Sequence, residues 1–164
     1  VSEELRSFFN FVKDHAALIF VERGELVPMF FVQHQDGPMA IVPCPWRDHG
    51  EKRMMIEALK RVIKMTGGAQ YYAFVCEAWM AKVPAPEGAV FDASKETPPS
   101  QRADRYEAVW VVAEEKGTAF GGFFKISRDK DNKPSVGEFE EMTEPGGMIM
   151  MGPFRNILGH EVLQ

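Results

Sequence analysis

Leu5, Phe8, Phe9, Val12, Ala16, Ile19 and Phe20 recur at three- and four-residue steps, which predicts an opening helix with one apolar stripe. Ser2 stands where a helix cap belongs and Gly24 where a left-handed stop belongs. Each large apolar side chain on that stripe contributes about 1.5–3 kcal/mol when buried, so the helix must dock on the rest of the fold. Two β-rich runs follow, 26–34 and 39–44, separated by Gln35-Asp36-Gly37-Pro38, whose turn chemistry predicts a hairpin. Pro43 and Pro45 around Cys44 end the second run, because proline gives no donor to a ladder.

A second helix is expected at 49–66. Asp48 and Glu51 form a capping-box pattern, Met55, Ile56, Leu59, Val62 and Ile63 line the apolar stripe, and Gly67-Gly68 stop it. Lys52, Arg53, Lys60, Arg61 and Lys64 against Glu51 and Glu57 leave a modest positive face, read as a solvated surface with Glu57 paired to Arg61. The rest reads as strands at 71–81, 106–113, 119–126 and 136–142, the first of them apolar on both faces. Gly121-Gly122 suggests a bulge or a close backbone approach, and Asp129–Lys133 supplies a hairpin turn. A proline-rich connection fills 84–104, and a Met-rich segment with Met148, Met150 and Met151 fills 146–164. Helix, hairpin, helix and then four strands lacks the alternation of a doubly wound sheet. The expectation is a single α+β domain over 1–164: a mainly antiparallel sheet of about six strands with both helices packed on one face.

Composition sharpens this picture only a little. An apolar content of 45% with 26% charged residues is ordinary for a globular chain. The net charge is −5, and all of it falls in residues 83–164, with 9 basic and 14 acidic groups against 10 and 10 before them. An acidic chain lacks the positive field that drives phosphate-backbone binding, so no nucleic-acid partner is expected. The apolar run 16–21 is too short for a span, so no membrane partner is expected either. Cys44 and Cys76 are too few for a secreted disulfide scaffold, and the acidic start Val1-Ser2-Glu3-Glu4 is unlike a signal peptide. Both features predict reduced thiols and a cytosolic protein; the valine start predicts that an initiator or an upstream segment is removed.

The chemistry-bearing signal is Glu77, a carboxylate on the same face as Tyr71, Ala73, Val75 and Trp79 in an otherwise apolar strand. Left buried and unpaired it would cost several kcal/mol, so it must reach a cation, protonate or face a cleft. Antiparallel pairing of the next strand brings Arg105 and Glu107 to that end, with Arg102 on the loop leading in. Glu77, Trp79, Arg102, Arg105 and Glu107 are therefore the candidate binding residues, guanidinium groups being suited to carboxylates or phosphates. Three readings follow. The first is a binding or accessory module for a small anionic ligand or a protein partner. The second is a hydrolase with a Glu general base and Arg charge stabilisation. In the third, the Glu–Arg cluster only fixes the sheet.

Glu77-Ala78-Trp79-Met80, Pro99-Ser100 and Arg105-Tyr106-Glu107 resemble a signature of small bacterial and phage proteins with no established activity. The resemblance covers about residues 70–113 and implies a shared fold without a mechanism; Gln101, Arg102 and Ala103 depart from the more acidic loop of that pattern. No cofactor is expected. The four histidines form no HExxH pattern and there is no CxxC, so no metal is expected. Asp129, Asp131 and Asn132 look faintly like a calcium loop, but Lys133 stands where an oxygen ligand belongs. The Met-rich end and the two sheet edges leave room for a homodimer.

Overall fold

A computed structural model describes residues 1–65, 68–81, 97–115 and 118–142. The Met-rich segment at 146–164 and most of the proline-rich connection, 82–96, lie outside the described residues. Helix α1 (Glu3–Arg23) is followed by strands β1 (Met29–Gln33) and β2 (Met39–Pro43), then helix α2 (His49–Met65). Strand β3 (Tyr71–Met80), a single 3-10 turn (Pro99–Gln101), and strands β4 (Tyr106–Glu115), β5 (Thr118–Arg128) and β6 (Pro134–Met142) complete the order. The strands make one sheet in the order β2-β1-β3-β4-β5-β6, with every neighbouring pair antiparallel. The α+β class, the two helices and the six strands are as the sequence predicts.

The helices differ from expectation in their placement: they cover opposite faces of the sheet, not one. Leu5, Phe9, Val12, Ala16 and Phe20 of α1 pack against Phe31, Tyr71, Ala73, Val75, Val109 and Val111. Ile56, Leu59 and Ile63 of α2 pack against Phe30, Val32, Tyr72, Phe74, Cys76 and Val112. The two sets alternate along β1, β3 and β4, as they must when successive side chains leave opposite faces. The reason is already present in β3, whose first six residues are all buried. A strand apolar on both sides needs a cover on each.

Local chemistry sets the ends of the elements. Ser2 Oγ accepts the Leu5 N–H at 3.1 Å and caps α1, while Gly24 closes it at φ 76° with its N–H on the Phe20 carbonyl at 2.8 Å. Asp48 Oδ1 accepts the N–H groups of Gly50 and Glu51 at 2.7 and 2.9 Å, so α2 is capped as expected. Glu51 does not close the box on Asp48. Its carboxylate takes the Arg47 N–H at 2.7 Å and the Arg47 guanidinium, whose hydrogen bond holds Glu51 below the usual carboxylate range. Glu57 pairs with Lys60 at 3.1 Å instead of Arg61, and Val62 is 54% exposed, outside the buried stripe. The Asp129 carboxylate accepts the Asp131 and Lys133 N–H groups, both at 2.9 Å, which makes this segment the β5–β6 turn.

Candidate functional site

The candidate residues gather where β3 leaves the core. After six buried positions, Glu77 and Ala78 are half-buried and Trp79 is 42% exposed. In register, Glu77 lies opposite Val109 and Trp79 opposite Glu107, so both look out on the α1 face. The Glu77 carboxylate accepts the backbone N–H of Leu26, in the connector between α1 and β1. Leu26 is buried, and a buried amide without an acceptor is costly. Glu77 therefore meets a demand set up by the Gly24 stop: the chain turns out of α1, crosses the sheet end and needs an acceptor there. The partner is a main-chain amide and not a guanidinium.

The arginines are used differently. Arg102 makes a fork-to-fork pair with Asp104, with both bonds at 2.8 Å, and that pairing holds the Asp104 carboxyl below its ordinary range. Glu107 accepts from Arg128 at 2.9 Å. Arg105 lies with its guanidinium carbon 4.5 Å from the centre of the Trp79 ring and donates to the Ser100 carbonyl. Of the five candidates the structure brings Trp79 and Arg105 into direct contact. It sets Glu107 across from Trp79, and it gives Glu77 and Arg102 separate partners. Asp104 and Arg128 escaped the sequence reading. Arg128 stands two residues beyond the buried Ile126 of β5 that shares the α1 face, so alternation is the available signal for it, whereas Asp104 lies in a turn before β4, where no strand period applies.

Among the described residues each of the two carboxylates holds a donor: the Leu26 amide for Glu77 and Arg128 for Glu107. What the surface offers is a flat aromatic face under an exposed cation. Arg105 has no carboxylate partner among the described residues.

Two concavities lie away from it. One, of about 500 Å³, is walled by Pro45, Trp46, Met54 and Met55, with Arg47 and Glu51 at hand. Trp46 stacks on Phe74 at 5.8 Å and carries the Lys52 ammonium 5.1 Å from its ring centre. The other, of about 400 Å³, opens between α1 and the β1–β3 pair. Cys44 and Cys76 are both buried free thiols, and burial pushes Cys76 up to about 12. Among the described residues no group of three or more His, Cys, Asp or Glu side chains is placed to hold a metal ion, and no helix is long and apolar enough to cross a membrane. The chain matches no family model, no curated protein and no solved structure.

Proposed function

We propose that the protein is a binding module that docks a carboxylate-bearing protein partner on the Trp79–Arg105 platform. One observation carries this reading: an exposed guanidinium held flat against a half-exposed indole, with no carboxylate of its own among the described residues. Arginine and tryptophan are the side chains enriched at binding hot spots. A guanidinium fixed in one orientation loses less entropy on meeting a planar carboxylate than a free one does. Trp79 supplies apolar area beside it for the residue that carries the acid. Trp79 is 42% exposed and Arg105 is exposed, which suits contact with a macromolecular partner. Two buried free thiols fit a reducing compartment, and we place the module in the cytosol.

The test is selection of a random peptide library on the purified protein, followed by fluorescence-polarisation affinities for the enriched peptides. The expected result is enrichment of peptides bearing Asp or Glu next to an apolar residue, with affinity falling at least about tenfold in Arg105→Ala and partly retained in Arg105→Lys. Peptides without acidic residues, or equal affinity for wild type and Arg105→Ala, overturn the reading.

A further inference from the structure

The cavity between α1 and the sheet has walls of a different character. Phe8 and Tyr71 form its floor, their rings stacked at 5.6 Å, and Phe11 and Met39 rise at the sides. Phe8 and Tyr71 are buried while Phe11 is 48% exposed, so one ring stands at the mouth and two lie behind it. The polar groups of the wall are one carboxylate, two amides and the Tyr71 hydroxyl. Gln33 donates both amide hydrogens, to the carbonyls of His34 and Gly37 at 2.9 Å each, which leaves its amide group only an acceptor to offer. Gln70 likewise donates its nitrogen to the Tyr71 hydroxyl at 2.7 Å. The one charged group among the described wall residues is the Glu4 carboxylate, and no described cation lines the cavity. A second carboxylate, Glu115, stands close behind, held by Ser2 Oγ at 2.6 Å. The Tyr71 hydroxyl registers this surrounding: burial raises its pKa first, and the nearby charges of Glu115 and Glu4 raise it further.

Aromatic rings, amide oxygens and an unmatched carboxylate around a space of a few hundred cubic ångströms have one chemistry in common. Each presents negative potential to its guest, the rings through their faces and the others through oxygen. An anion would meet the Glu4 carboxylate with no described cation to offset it, and a neutral apolar guest would leave that charge without gain. A guest that is both greasy and positively charged satisfies every wall at once. We infer that this cavity binds a small alkylammonium group, with Phe8, Phe11 and Tyr71 as its aromatic faces and Glu4 as its counter-charge. The ligand class is a quaternary or methylated amine, because methyl groups fill the apolar walls while spreading the charge over the rings. The site is separate from the Trp79–Arg105 platform and stands or falls without it.

The experiment is isothermal titration of the full chain with choline, with its uncharged isostere 3,3-dimethylbutan-1-ol, and with a peptide carrying trimethyllysine. Choline is expected to bind at least about tenfold more tightly than the neutral isostere, the contribution a desolvated cation makes over aromatic faces. Glu4→Gln and Phe11→Ala, both at exposed positions, should fold normally and weaken choline about threefold to tenfold each. Tighter binding of the peptide than of choline assigns the ammonium to a modified protein, and the reverse assigns it to a free amine; either supports the site. Equal binding of choline and its isostere, no binding of either, or choline affinity unchanged in both variants overturns it.

Discussion

Tyr72 and Glu114 face each other across β3 and β4 on the α2 side, and the tyrosine hydroxyl donates to the carboxylate at 3.0 Å. Glu114 is 3% exposed, so this bond to a charged acceptor lies within the interior. Burial, and then the charge of Glu114, push the Tyr72 hydroxyl well above its ordinary value. A folded-state pKa that is raised contributes stability that is fully present below the unfolded value, near 10, and is lost as pH rises beyond it, because the unfolded chain then releases a proton that the folded chain keeps. Tyr72→Phe should cost about 1–3 kcal/mol near neutral pH, since Glu114 loses a donor. In urea unfolding followed from pH 8 to 11.5, the gap between wild type and Tyr72→Phe should narrow above about pH 10. A gap that stays constant across that range, or widens, would show that Tyr72 is not held protonated by the fold.

At the scale of elements, β5 must pass beneath an aromatic cluster without colliding with it. Phe139 of β6 packs its ring 5.6 Å from Phe9 and 4.9 Å from Phe124, both edge-on. The ring lies over Gly122, where a Cβ would stand 2.6 Å from a Phe139 ring carbon and 2.2 Å from the Glu140 carbonyl oxygen. A β-carbon cannot be placed against a backbone oxygen at that distance unless the strands separate. Gly122 is thus the close approach that the Gly121-Gly122 pair suggested, while the irregularity of the ladder falls later, between Phe124 and Ile126. Gly122→Ala should destabilise by about 1–3 kcal/mol or more, read as a fall in the urea midpoint. The same variant should loosen α1, because Arg6 clasps Glu141 on β6 with two bonds of 3.1 Å. Faster amide exchange in the first turns of α1 is the expected sign, and native-like exchange there would separate the helix from the β5–β6 pair.

For the whole molecule, the periodicity of the chain is enough to place nearly every element, because α1 carries a continuous apolar stripe even though Phe11, Leu18 and Val21 lie outside it, and the strands are bounded by glycine, proline and short polar turns. The assignment of helices to faces needed one more step. Residues 71–76 are apolar at every position, and a strand of that kind cannot leave one side to water. Alternation singles out the Glu77 carboxylate, but the cation expected for it is not the partner it finds. Its partner stayed hidden because it is a backbone amide 51 positions away, and main-chain donors leave no trace in composition or alternation. Arg128 was missed for a related reason, since pairing it with Glu107 depends on the β4–β5 register.

The proposed function divides the sheet end between Glu77, which accepts the Leu26 amide, and Arg105, which is exposed over Trp79. Equilibrium unfolding of three variants side by side tests it. Glu77→Ala should lose about 1–3 kcal/mol, because it strands the buried Leu26 amide, and Glu77→Gln should recover more than half of that by keeping an acceptor oxygen. Arg105→Ala should leave the midpoint where it is in wild type. Unfolding of Glu77→Ala at the wild-type midpoint, or an Arg105→Ala variant as destabilised as Glu77→Ala, would contradict the account.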